Sequence, residues 1–228
     1  MQPYIFPYIG YFQLIEAVDK FIFFDDVNFI KKGWINRNQI LVNNQAHLFT
    51  IPLQKVSQNI LIKDTKISYN ENWIKKLLFN IEINYKKAPC YNDVYPLIKK
   101  ILEKKAETIS DLAIISIKEV SNYLGLKTKF ELSSEKYSDS IDYKKEARLI
   151  EICRKINATN YINPNGGKEL YTKQDFMNHG LKLKFIEPQI KRYIQFNSEF
   201  IKNLSIIDVL MFNSKKHMKI MLNDYKLI

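Results

Sequence analysis

The opening stretch of this chain constrains its fold more than any other. It reads Gln2-Pro3-Tyr4-Ile5-Phe6-Pro7-Tyr8-Ile9-Gly10-Tyr11-Phe12, then Phe21-Ile22-Phe23-Phe24-Asp25-Asp26-Val27, and closes on Trp34-Ile35-Asn36-Arg37-Asn38. Pro3 disfavours helix for the residue before it, so residues 1–6 read as a short extended segment. Residues 7–10 make a turn. Residues 11–19 then carry Phe12, Ile15 and Val18 at helical spacing. The four-residue apolar run at 21–24 is closed by two aspartates, as a buried parallel strand is. Together these predict a compact βαβ unit with a right-handed crossover. Its first strand is short, as if the chain began just inside the natural start. A purely structural unit does not need this density of prolines, aromatics and acids, so the block reads as one wall of a ligand site.

Beyond it, residues 39–42 and 47–53 predict a hairpin around Asn43-Asn44, a pair tolerant of positive φ. Residues 60–67 alternate apolar and polar side chains, which predicts a half-exposed strand. The pattern turns helical over about 72–126, with apolar stripes at Trp73, Leu77, Leu78 and Ile81, at Val94, Leu97, Ile98 and Ile101, and over 110–124. Gly125 is placed to stop the last of these helices. Strands are expected at 127–132, 160–162 and 181–186, and helices at 143–156 and from 205 to 212. This alternation predicts an α/β class: a mostly parallel sheet with flanking helices, a β-hairpin and a helical insert at 72–126, in a single domain spanning 1–228.

The formal net charge is +11, which invites a nucleic-acid reading. Of the 35 basic residues, however, only Arg37, Arg148, Arg154 and Arg192 are arginines, and the lysines scatter along helix faces. The expectation is against nucleic acid and for an anionic small molecule. Cys90 and Cys153 lie far apart without CxxC or Cys/His spacing, which argues against a disulfide framework and a zinc site. No metal site and no cofactor motif is evident. No apolar run approaches the ~18–20 residues of a membrane span, and the first residues lack a basic n-region. A cytoplasmic protein is expected.

Several groups stand out as chemistry-bearing. Asp25 and Asp26 follow a presumed parallel strand, where open α/β sheets bind ligands; the plain reading is an acidic cap. Trp34, Asn36, Arg37 and Asn38 offer a stacking ring, amides and a fork for phosphate or carboxylate; the plain reading pairs Arg37 with Asp25 or Asp26. His47 starts a strand and is the candidate general base. Asn163-Pro164-Asn165-Gly166-Gly167, followed by Tyr171, would let backbone N–H groups approach an oxyanion, or is a plain turn. Gln2, Tyr8, Gly10 and Tyr11 complete the ligand-binding candidates. Walker A, dinucleotide GxGxxG, GxSxG and HExxH patterns do not occur.

The N-terminal block resembles the start of WbqC-like proteins. His47-Leu48-Phe49-Thr50-Ile51-Pro52-Leu53, the segment 161–167 with Tyr171, and Leu204-Ser205-Ile206-Ile207-Asp208 look like later elements of the same family in the same order. Family members often carry His before the Gln-Pro pair, where this chain has Met1, so no role for a histidine carries over there. The resemblance implies an association with O-antigen and other surface-polysaccharide synthesis, and acyl or aminoacyl transfer to a nucleotide-linked amino sugar. In that reading Arg37 and the 163–167 turn hold phosphates, Tyr8, Tyr11 or Trp34 stack on base or sugar, and the catalytic candidates are Asp25 or Asp26, orienting the acceptor, and His47, accepting its proton. An acyl donor is then the co-substrate. The strand, Pro-x-x-Gly-Tyr turn and Asp-ended strand are also weakly similar to the HIGH-motif ligase pattern, which would bring ATP and Mg²⁺; the diagnostic histidines are missing. A non-catalytic sugar-nucleotide or partner-binding protein is the third reading.

Overall fold

The computed structural model describes residues 1–228 apart from Val56, Gln58, Glu71, Asn197 and Ser198. The chain opens in an extended segment that lies beside strand β1 (Lys20–Phe23): Met1 donates its backbone nitrogen to the Ile22 carbonyl and accepts from the Phe24 N–H, both at 2.8 Å. Between them runs α1 (Ile9–Glu16), whose residues from Ile9 to Ile15 are all buried. The expected turn, helix and second strand are therefore present, but residues 1–6 only run extended beside β1 and form no strand of their own, so the βαβ unit lacks its first strand. The helix starts two residues earlier than its apolar spacing indicates, because Ile9 and Gly10 join its first turn behind the extended N-cap Tyr8.

The hairpin follows as β2 (Arg37–Val42) and β3 (Gln45–Thr50), paired antiparallel. Asn43 and Asn44 sit at φ 51° and 61°, so both turn residues take the left-handed conformation that a two-residue hairpin needs. Residues 60–67 are not a strand. They form a 3₁₀ turn at Ile62–Asp64 flanked by single bridges from Leu61, Lys66 and Ile67. The residues that bury here are Ile62, Thr65 and Ile67, an uneven spacing that only resembles alternation.

The helical stretch resolves into α2 (Trp73–Tyr85), α3 (Tyr91–Glu103) and α4 (Ile109–Leu124). A capping box starts α4: the Thr108 hydroxyl accepts from Asp111 N–H, while the Asp111 carboxylate takes the Thr108 N–H. Gly125 ends it at φ 77°, the left-handed stop expected of that glycine. The helices α2 and α3 pack together, α4 packs on α3, and α2 leans on β2.

Then come β4 (Lys129–Leu132), α5 (Ser133–Lys136), α6 (Lys145–Lys155), β5 (Asn160–Pro164), α7 (Lys173–Met177), β6 (Lys182–Pro188), α8 (Ile206–Phe212), α9 (Lys215–Leu222) and β7 (Tyr225–Leu227). The α/β class holds, with parallel pairing of β1 with β4 and of β5 with β6. The strands nevertheless divide among three short sheets, β1-β4, β2-β3 and β5-β6-β7, and β7 joins β6 antiparallel. Strands of three to seven residues leave the apolar burial to the helices between them.

The main core gathers α1, β1, the hairpin, α2 to α4, α8 and α9, with Phe6, Phe12, Phe23, Ile81, Ile117 and Met211 fully buried. A smaller cluster of Ile150, Cys153, Phe176, Leu181, Leu183 and Phe185 sits at β5 and β6. Packing of α1 against α9, β5 and β6 joins the N-terminal block to the C-terminal sheet. No helix among the described residues is long and apolar enough to cross a membrane.

Candidate functional site

The N-terminal turn is built on one strained residue. Phe6 is fully buried at φ 41°, a left-handed conformation unfavourable for a bulky side chain by roughly 1–3 kcal/mol. Its surroundings over-determine it. The Phe6 N–H donates to Ser116 Oγ at 3.2 Å. Its carbonyl accepts from Asn38 Nδ2 at 2.7 Å and Ser205 Oγ at 2.8 Å. Asn38 also reaches the Ile5 carbonyl, and Ile206 N–H donates to Pro7 O. Asn38, expected to touch a ligand, is buried and spends its amide on this turn instead.

The turn delivers Tyr8 to the start of α1. A Cβ at Gly10 would lie 2.4–2.8 Å from the Tyr8 ring, so only glycine lets that ring fold back onto the helix. Tyr11 follows, donating its hydroxyl to the Gln2 carbonyl at 2.8 Å, while Gln2 Oε1 accepts from Tyr4. Burial raises the phenols of Tyr4, Tyr8 and Tyr11 above their ordinary range, Tyr11 most, so all three stay protonated at neutral pH.

The 163–167 turn faces this wall. Asn163 donates to the Tyr161 hydroxyl, and its Oδ1 occupies the place a Cβ on Gly167 would take, 2.3 Å away. Asn163 and Gly167 thereby shape the turn, whereas Asn165 and Gly166 line the space beside it. Between the two turns lies a cavity of about 110 Å³, lined by Tyr8, Gly10, Tyr11, Leu14, Asn165 and Gly166 and closed by Ile186 and Pro188 of β6. The Asn165 Oδ1 is buried there without a hydrogen-bond partner. Two stretches far apart in sequence, both expected at a ligand site, therefore form one cavity.

A second, more open pocket of about 250 Å³ lies at the start of the hairpin, with Lys31, Lys32, Asn36 and Arg37 on its wall and residues 50–53 behind. Arg37 Nε donates to the Gly33 carbonyl at 2.8 Å, and its guanidinium stands 5.9 Å from the Trp34 ring centre. No described carboxylate pairs with it, which leaves the two Nη groups as donors for a bidentate anion. Trp34 is 47% exposed. Asn36 exchanges hydrogen bonds with Ile51, so its amide fastens the loop to β3.

The remaining candidates stand elsewhere. His47 lies exposed in the outer half of β3, opposite Ile40, and lines neither cavity. Phe49 is buried on its strand face while His47 projects beyond the core. Tyr171 packs edge-on against Phe176 in the smaller core cluster. Asp25 and Asp26 do end a parallel strand, but both are buried and fully engaged. Ser133 Oγ donates to both carboxylates, Ser134 binds Asp25 through its N–H and hydroxyl, and Arg148 Nη2 meets Asp26 Oδ2 at 2.5 Å. The pair closes inward on α5 and α6 and lines neither of the two pockets. Arg148, and not Arg37, is its cationic partner.

Three features escaped the sequence reading. Ser133 and Ser134 follow β4 as the aspartates follow β1, a parallel signal at two adjacent strand ends. Arg148 shows no local mark. Asp208 is fully buried at the start of α8 and accepts from Tyr85, Tyr193 and Gln195 at 2.8, 2.5 and 2.7 Å. Burial raises its carboxyl pKa even against those three donors. Burial pushes the Cys153 thiol up to about 11 and raises that of Cys90, which disfavours the thiolate form of both.

Comparison with known proteins adds two findings. The sequence profile of the WbqC-like protein family matches residues 2–220. Over 214 residues the chain is 28% identical to the uncharacterized protein Rv1507c of Mycobacterium tuberculosis, covering 91% of this chain and 89% of that one. No solved structure matches it.

Proposed function

The chain belongs to the WbqC-like protein family, and on that premise we propose that it acts in the cytoplasm on a nucleotide-linked amino sugar, transferring an acyl or aminoacyl group during surface-polysaccharide synthesis. The observation that carries this reading is Arg37. Its Nε is fixed by the Gly33 carbonyl, and the residue lines an open pocket together with Lys31 and Lys32. A preorganised fork flanked by two further cations suits a diphosphate better than a neutral ligand. The exposed Trp34 beside it offers a face for the base, and the cavity between Tyr8 and Asn165 takes a part of the sugar.

A second reading, a sugar-nucleotide-binding protein without turnover, has its own support. Amine attack on an acyl carbon needs a proton acceptor, and His47, Asp25 and Asp26 line neither cavity.

A thermal-shift panel of nucleotides, nucleotide sugars and acyl donors tests the binding claim. A ligand at ~100 times its dissociation constant adds about 2.7 kcal/mol to stability, and the expected result is a rise with nucleotide sugars that disappears in Arg37→Ala. An unchanged rise in that variant sinks the phosphate assignment. Product analysis with an acyl donor separates transfer from binding alone, and pyrophosphate release from ATP with Mg²⁺ would point to the ligase-like reading instead.

A further inference from the structure

Resting on that reading of the site, we propose that the cavity between the Tyr8 turn and the Asn165 turn is an acylamide pocket. It receives the short acylamido group of the amino sugar and limits it to about two or three carbons. Size argues first. A cavity of about 110 Å³ is well below the roughly 300–1,000 Å³ of most small-molecule sites, a size that suits a small substituent such as an acetamido or propionamido group.

Chemistry argues second. A secondary amide brings one donor, one acceptor and an apolar tail. The Asn165 side chain lines the cavity, its Oδ1 is buried, and neither end of its amide has a partner among the described residues. The terminal torsion of Asn is broad and roughly two-fold, so either end can be turned to a ligand. Gly10 lines the opposite wall at the second position of α1, where the helix cannot pair its own N–H. Tyr8, kept protonated by burial, adds a hydroxyl with no partner among the described residues. Leu14, Ile186 and Pro188 supply the apolar end for the alkyl tail. Acceptor, donor and apolar floor thus match the amide in kind.

The test uses the full chain labelled for backbone-amide NMR and two fragments, N-ethylacetamide and N-ethylhexanamide. The acetamide should shift the signals of Gly10, Leu14 and Gly166 saturably, while the hexanamide at equal concentration should not. Asn165→Ala, which breaks no hydrogen bond of the fold, should weaken acetamide binding about three- to tenfold with an unchanged melting temperature. Equal responses to both fragments, shifts confined to other residues, or undiminished binding to Asn165→Ala would each overturn the pocket. No nucleotide is present in this assay, so its failure leaves the Arg37 reading to stand or fall by its own thermal shift.

Discussion

Arg148→Met is expected to lower the unfolding free energy by about 3–5 kcal/mol, because it leaves the Asp26 carboxylate buried without its counter-charge. The two side chains are 7% and 2% exposed, and their contact is 2.5 Å. Arg148 also donates from Nε to Ser140 Oγ and sits 4.7 Å from the Phe24 ring, which holds its guanidinium in place. Urea unfolding at neutral pH measures the loss. The double variant Asp26→Asn with Arg148→Met should recover a large part of it, since the stranded charge is then gone. A single-variant loss below about 1 kcal/mol would instead fit a water-exposed pair. This pair, with Ser133 and Ser134, pins β1 and β4 to α5 and α6. The folded fraction of Arg148→Met should keep the Arg37-dependent response to nucleotide sugars, as expected of a group that shapes the scaffold and not the ligand.

Asp208→Ala should cost a comparable amount. It strands the donors of Tyr85, Tyr193 and Gln195 in the core, each loss being worth about 1–3 kcal/mol, and Tyr85 in turn accepts the Leu41 N–H of β2 at 2.7 Å. Asp208→Asn gives the pH test. Because burial raises the folded pKa of Asp208 above its unfolded value, the native state holds this proton more tightly than the unfolded chain. Its stabilising contribution is complete below the unfolded pKa and is withdrawn as pH rises through the folded one. The stability of the natural protein relative to Asp208→Asn should therefore fall across that acidic window and level off above it. A relative stability that rises there contradicts the assignment.

Much of the local structure was legible in the sequence because it is locally determined. Asn43-Asn44 fixed a hairpin turn through tolerance of positive φ, Gly125 a helix stop for the same reason, and the apolar stripes of α2 to α4 their helices. The two turns of the cavity were legible as unusual densities of Pro, Gly and aromatic residues. That they face each other was not, since no local pattern says that α1 packs on β5 and β6. The same limit explains Asp25 and Asp26. Their position past a parallel strand was readable, but their partners stand more than a hundred residues away in Ser133, Ser134 and Arg148. His47 illustrates the converse: residue type suggested chemistry, and an exposed half-strand removes it from both cavities. Residues 60–67 show how two well-spaced isoleucines imitate a strand around a 3₁₀ turn.

Amide hydrogen exchange with the most stabilising nucleotide sugar of the thermal-shift panel tests the central claim most directly. The account predicts slowed exchange in three stretches together, 31–37, 8–14 and 165–167, with the first lost in Arg37→Ala. Protection confined to other segments, or a panel in which no nucleotide sugar slows exchange at all, would contradict it.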